Sequence, residues 1–279
     1  MGSLRLGHIN FLNCLPLTYS LRHGDFARGI EVTAGVPSVL NHDLVNGRLD
    51  VSAISSVVYA QSSEKLKILP EVCISSNGEV QSLFLVSRKP AEDIGDGKVI
   101  LTAKSATTHC LLKIILAKAY GAKPNYYIRH VDPYHPVAED ATAALLIGDD
   151  ALYVNLHRQP EFFYYDIGAE WKNLTGKWMV YAVWAVNRNF AEKSQELVQL
   201  AYDRVTKGFR YGCERKADAI RSVLAKKPFR FEELDEYLKV IKWKLGAVQL
   251  DGLETFYRMA HDMNLIDHVP DLELASVWR

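Results

Sequence analysis

Cysteine is scarce in this chain of 279 residues, and its spacing excludes several common kinds of site. The four cysteines, Cys14, Cys73, Cys110 and Cys213, lie far apart, and none belongs to a C-x-x-C pair. Zinc knuckles, ferredoxin-type clusters and thioredoxin-type redox centres all need such close pairs. The sequence therefore predicts four free thiols, most of them buried, as is usual in a reducing compartment.

The chain also lacks a charge excess and long apolar runs. Lys and Arg together number 33, as do Asp and Glu, so no overall field draws the protein to nucleic acid or anionic lipid. No apolar run approaches the roughly 18 residues of a membrane-spanning helix. The first residues do not form the basic and apolar segments of a secretory signal. We therefore expect a cytoplasmic protein with no nucleic-acid or membrane partner.

Sequence motifs for common cofactors and catalytic centres are missing as well. The chain has no G-x-S-x-G, P-loop, dinucleotide-binding glycine fingerprint or H-E-x-x-H. His130, Asp132 and His135 are of the metal-ligand type, but Pro133 and Pro136 place them in an irregular loop without a known ligand spacing. We expect no metal site.

Short apolar runs alternate with amphipathic stretches along the chain, a pattern typical of an α/β fold. Strands are predicted at 4–9, 30–34, 50–54, 67–74, 80–87, 99–102, 125–129, 143–147 and 178–186. Helices are predicted at 16–23, 36–46, 107–120, 190–211, 216–225, 231–240 and 252–263, with another starting near Asp149.

This order predicts two lobes joined by two extended crossings. The first lobe comprises residues 1–86 and 183–279, and the second lobe, residues 87–182, is inserted into it, with crossings at 80–87 and 178–186. Such a layout is that of a hinged clamshell that binds a ligand in a central cleft. A single doubly wound domain is the alternative.

Polar residues follow several predicted strands or precede helices. Ligands of α/β sheets bind at the carboxyl ends of strands, where helix N-termini favour anions. Asn13, Ser55 or Asp149 could instead simply cap a helix, and Ser82 could face the core. Their shared position at strand ends nevertheless predicts one cleft. The candidate residues are Asn10, Asn13, Ser55, Ser56, Ser82, Thr107, Thr108, Gly148 and Asp149.

Four segments, 7–17, 47–56, 69–76 and 145–152, resemble the menaquinone-biosynthesis family of the futalosine route, and the similarity extends over nearly the whole chain. The resemblance implies the type II periplasmic-binding-protein fold, which agrees with the predicted clamshell. Ile9-Asn10-Phe11-Leu12-Asn13-Cys14 is similar to the branch of the family that dehydrates chorismate. The branch that makes 1,4-dihydroxy-6-naphthoate carries a Ser-Pro-Cys-Pro-Asn-Asp type of segment there.

The resemblance implies a cofactor-independent hydro-lyase that eliminates water from chorismate to give 3-[(1-carboxyvinyl)oxy]benzoate. It implies that Asn13 and Ser82 are catalytic. The predicted substrate-binding set comprises Asn10, Ser55, Ser56, Thr107, Thr108, Gly148 and Asp149. The alternatives are the naphthoate-forming activity, a non-catalytic protein that binds a small carboxylate, and a sensor or interaction module.

Overall fold

The computed structural model describes residues 3–103 and 105–278, and within them the strands form two mixed five-stranded sheets. The first sheet has the order β2-β1-β3-β10-β4, and the second has the order β7-β6-β8-β5-β9. The first consists of β1 (Leu4–Ile9), β2 (Ile30–Gly35), β3 (Val51–Ser55), β4 (Leu66–Ser76) and β10 (Met179–Asn187). The second consists of β5 (Leu83–Ser87), β6 (Lys98–Leu101), β7 (Asn125–Ile128), β8 (Ala143–Ile147) and β9 (Phe163–Asp166).

In each sheet, four strands run in one direction and one strand runs in the opposite direction. In the first, β1 runs parallel to β2 and β3, while β10 runs antiparallel to β3 and β4. In the second, β6 runs parallel to β7 and β8, while β5 runs antiparallel to β8 and β9. Strands β3, β5 and β8 are buried at every position because helices cover the sheets. Burial on both faces explains why the sequences of these strands are nearly continuous apolar runs.

The helices surround these sheets and close the core. The C-terminal helices complete the first sheet's layer, since α8 (Gln195–Glu214) packs on β1 and β4, and α11 (Ala247–Asp262) packs on β10. The helices are α1 (Leu15–His23), α2 (Pro37–Val45), α3 (Ser56–Gln61), α4 (Ala106–Tyr120), α5 (Gly148–Leu156), α6 (Ile167–Thr175), α7 (Arg188–Lys193), α8 (Gln195–Glu214), α9 (Lys216–Leu224), α10 (Phe231–Val240) and α11 (Ala247–Asp262).

The predicted α/β fold is confirmed, with local differences. The helix expected over 190–211 is two helices, α7 and α8, separated at Ser194. Strand β9 and helix α6 were not predicted, because β9 is a short, half-buried edge strand and α6 follows it without a loop. The four cysteines are free thiols as predicted, and Cys213 is the exposed one.

The chain passes between the two sheets twice. It leaves the first sheet after Ser76 and enters the second at Leu83, then returns between Asp166 and Met179. Both passages lie at or beside the predicted crossings, although β5 belongs to the second sheet and β10 to the first. The lobe boundaries at 86/87 and 182/183 stay a prediction. Over the described residues, no helix has the length and apolar character needed to cross a bilayer.

Candidate active site

A cavity lies where the two sheets meet, and both sheets contribute to it. The empty space inside it measures about 510 Å³, its open mouth included. None of the described residues that line it is charged. These residues are Ile9, Phe11, Asn13, Pro37, Ser55, Ile74, Val80, Ser82, Leu83, Ser105, Thr108, Ile147, Gly148, Tyr181 and Ala182.

Asn13 reaches the cavity from the short 3₁₀ turn Leu12–Cys14, between β1 and α1. The indole Nε1–H of Trp243 donates to the Asn13 backbone carbonyl at 2.8 Å and so stabilises this turn. The Asn13 side chain caps no helix; its Oδ1 is buried, and no described residue donates to it. A buried acceptor without a donor is costly, so Oδ1 is well placed to receive a hydrogen bond from a ligand.

Ser82 stands just before β5, and its side chain is 2% exposed. The Tyr237 hydroxyl donates to Ser82 Oγ at 3.0 Å, and Ser82 Oγ donates to the Val80 carbonyl at 3.3 Å. Burial raises the pKa of Tyr237, which keeps the phenol protonated. Sequence reasoning missed Tyr237, because it lies 155 residues further along the chain inside an ordinary amphipathic helix.

A half-buried aspartate, Asp166, shapes the crossing that carries Ser82. Asp166 accepts N–H bonds from Val80 and Gln81 on the crossing, and from Gly168 and Ala169 at the start of α6. Gln81 adopts a left-handed backbone conformation with φ 60°. Burial raises the pKa of the Asp166 carboxyl, and the four backbone donors oppose that rise. Asp166 therefore fixes the backbone of Val80 and Gln81, the two residues that precede Ser82.

Ser55, at the end of β3, and Thr108, in the first turn of α4, both line the cavity. Asn41 donates through Nδ2 to Ser55 Oγ at 3.2 Å and accepts the Ser55 N–H at 3.0 Å. Ser55 therefore makes no cap of α3 with its side chain. Ser105 does cap α4, accepting the Thr108 N–H at 3.4 Å. The N-terminus of this 15-residue helix opens on the cavity and favours an anion there.

Ser56 and Thr107, the neighbours of those residues, do not line the cavity. Their hydroxyl oxygens lie 3.3 Å apart, and Ser56 Oγ donates to the Val180 carbonyl at 2.8 Å. Thr107 Oγ1 accepts the Val57 N–H at 3.2 Å. Both side chains are fully buried and join α3 to α4, so their polar atoms are engaged inside the protein rather than presented to a ligand.

Gly148 lines the cavity at the start of α5, with φ 65°, and its N–H donates to the Ser82 carbonyl at 2.8 Å. A Cβ at this position would meet the ring of Phe11 at 3.4 Å. Glycine thus satisfies both the left-handed backbone and the close approach of the ring.

Asp149 and Asn10 lie beside the cavity. Asp149 Oδ1 accepts the Leu12 N–H at 3.0 Å, and its Oδ2 pairs with Lys227 Nζ at 2.5 Å. This carboxylate therefore ties α5 to the turn that carries Asn13. Asn10 lines a separate depression with the cations Lys226 and Lys227.

Comparison with solved structures defines the class: this is a protein of the type II periplasmic-binding-protein fold with a cavity between its two sheets. Protein AF1704 of Archaeoglobus fulgidus superposes with a TM-score of 0.78 at 17% identity, covering 94% of this chain and 98% of that one. The alkanesulfonate-binding protein SsuA of Xanthomonas axonopodis pv. citri, bound to MOPS, gives 0.69 at 15% identity, covering 99% and 98%.

The chain belongs to the menaquinone biosynthesis family, whose profile matches residues 4–262. A chorismate dehydratase of Thermus thermophilus is 32% identical over 197 residues, which are 66% of this chain and 69% of the relative. A chorismate dehydratase of Campylobacter jejuni is 29% identical over 181 residues, 63% of this chain and 64% of the relative. The family resemblance read from the sequence is thus confirmed.

Proposed function

We propose that this protein is a chorismate dehydratase, which eliminates water from chorismate to give 3-[(1-carboxyvinyl)oxy]benzoate, the first step of the futalosine route to menaquinone. The observation that carries the proposal is the meeting of Asn13 and Ser82 in one interlobe cavity. The two relatives called chorismate dehydratase support it. Membership of the menaquinone biosynthesis family supports a role in the route to menaquinone.

The reaction suits a cavity of uncharged donors. The ring proton to be removed is vinylogous to the ring carboxylate, and the product is aromatic, so a stepwise elimination can proceed. The protein must anchor the carboxylates, stabilise the charge that spreads into one of them and assist the departing hydroxide. The Ser55 hydroxyl, the Thr108 hydroxyl and the N-terminus of α4 provide neutral groups for the carboxylates.

In this proposal, Asn13 and Ser82 together orient the reacting ring carbon and the leaving hydroxyl of chorismate. Asn13 offers a buried Oδ1 that receives no hydrogen bond from the described part of the chain, and Ser82 offers a hydroxyl whose contact with the Val80 carbonyl is long. Among the described lining residues, no imidazole or carboxylate stands ready as a base. The enolpyruvyl carboxylate of the substrate itself then takes the proton, held close by the enclosing lobes.

The test is to incubate the purified protein with chorismate and follow the products by mass spectrometry. The expected product is lighter than chorismate by one water. Ser82→Ala should lower kcat by about a hundredfold or more, as loss of a donor to a developing charge does in other enzymes. Asn13→Ala should lower kcat by about a hundredfold, because the reacting carbon would no longer be held in place.

Ser75→Ala is the matched control for Ser82→Ala. Ser75 is equally buried and its hydroxyl donates to the Lys242 carbonyl at 3.2 Å, but it does not line the cavity. It should keep the wild-type turnover. Chorismate that binds but stays unchanged would show a non-catalytic binding protein. Wild-type turnover in both Asn13→Ala and Ser82→Ala would refute the assigned roles.

A further inference from the structure

The hydroxyl of Ser82 has a defined donor and acceptor arrangement. A serine hydroxyl carries one hydrogen and two lone pairs. One lone pair of Ser82 Oγ receives the hydrogen of the Tyr237 hydroxyl at 3.0 Å. The Ser82 hydrogen points to the Val80 carbonyl at 3.3 Å, which is long for a bond between two oxygens. That hydrogen is therefore weakly held, while one of the two lone pairs is occupied by the Tyr237 hydroxyl.

Tyr237 can influence a ligand in the cavity only through Ser82, because Ser82 lines the cavity and Tyr237 does not. It lies on α10, is 1% exposed and does not line the cavity itself. Among the described residues, Ser82 Oγ is the acceptor for its hydroxyl. The backbone around Ser82 is held independently, because Asp166 binds the N–H groups of Val80 and Gln81. The remaining freedom at Ser82 is rotation of its hydroxyl.

We propose that Tyr237 is a positioning residue that sets the direction of the Ser82 hydroxyl. By donating to Ser82 Oγ, it makes Ser82 a hydrogen-bond donor toward an oxygen of the substrate rather than a base. Ser82 turns its hydrogen from the Val80 carbonyl to that oxygen when substrate binds. This inference rests on the proposed dehydratase function, since the oxygen in question is the leaving hydroxyl or a carboxylate oxygen of chorismate.

The experiment compares Tyr237→Phe with the wild type in the full chain. Phe keeps the ring and removes the donor, so kcat for chorismate should fall about tenfold with KM little changed, the size expected for one hydrogen bond. In a Ser82→Ala background, measured at high enzyme concentration, Tyr237→Phe should have no further effect, because the hydroxyl that it orients is gone.

Tyr59→Phe is the matched control. Tyr59 is also fully buried, and its hydroxyl donates to the Asp271 carbonyl at 2.8 Å, away from Ser82. It should cost stability in thermal unfolding and leave kcat unchanged. If Tyr237→Phe does not fold, 3-fluorotyrosine at position 237 changes donor strength and keeps the shape; kcat should then change only when Ser82 is present.

The outcomes separate this inference from the proposed function. An active wild type whose kcat is the same in Tyr237→Phe overturns the role of Tyr237 alone. An equal loss of kcat with and without Ser82 also overturns it, since Tyr237 would then act on the fold in general. A wild type that leaves chorismate unchanged overturns the proposed function and this inference together.

Discussion

Asp166→Asn is expected to disturb both the stability of the fold and the geometry of the candidate site. The carboxylate of Asp166 accepts the Gln81 N–H at 2.7 Å and the Gly168 N–H at 2.9 Å, one with each oxygen. It also accepts from Val80 and Ala169 at 3.1 Å. One side chain thus joins the first crossing to the N-terminus of α6.

An asparagine cannot serve both sets of donors. Its single carbonyl oxygen can face the crossing or the helix, and its NH₂ group then points at N–H donors on the other side. A buried donor left without an acceptor costs about 1–3 kcal/mol, and the bonds that remain lose their charge assistance. We expect Asp166→Asn to lower the free energy of unfolding by roughly 2–4 kcal/mol.

The variant should also lose activity, because Ser82 directly follows the segment that Asp166 holds. A small displacement of a reacting group can cost about a hundredfold in rate. Unfolding is measured by urea titration and kcat with chorismate. Asp140→Asn is the control: Asp140 is 53% exposed and pairs with Lys98 and Arg129, so its loss should have a much smaller effect. Equal effects of the two variants on stability and kcat would refute the reasoning.

Two further predictions concern pH and backbone conformation. Burial lowers the pKa of His8 to about 4, against 6.5 for an exposed histidine. Between these pH values His8 is protonated in the unfolded chain but neutral in the folded protein. We therefore expect His8 alone to lower the free energy of unfolding by about 3 kcal/mol on acidification from pH 7 to pH 4. His8→Gln should lack this part of the urea-unfolding pH profile, and identical profiles would contradict the assignment. Gly148→Ala should cost about 1–2 kcal/mol in urea unfolding, from its left-handed backbone, and raise KM by pressing on the ring of Phe11. Gly47→Ala has the same strain at φ 70° with nothing within 4 Å, so it should leave KM unchanged; an equal KM in both variants would be against a role for the Phe11 contact.

Much of the secondary structure could be predicted from the sequence because its signals are local. The strands Leu4–Ile9 and Ala143–Ile147 and the helix Phe231–Val240 have the predicted ends. Buried strands appear as apolar runs between polar turns, and amphipathic helices repeat their apolar residues every three or four positions. The strand ends also pointed to the cavity, since the carboxyl ends of parallel strands meet at one edge of a sheet.

The sequence alone could not separate adjacent residues of the same type. Ser55 and Thr108 line the cavity, while Ser56 and Thr107, one position away, bond to each other inside the protein. Successive side chains point in different directions, and the direction that faces the ligand depends on how α3 and α4 pack. That packing joins residues about fifty positions apart.

The chain by itself determined the α/β alternation, the family and the polar segments at the strand ends. Only the tertiary structure decided that β10 lies between β3 and β4, that Tyr237 donates to Ser82, and that Asp166 holds the crossing. The physical reason is the range of the forces involved. Periodicity and backbone preference act within a few residues, whereas a hydrogen bond between distant segments exists only after the burial of apolar surface has brought them together.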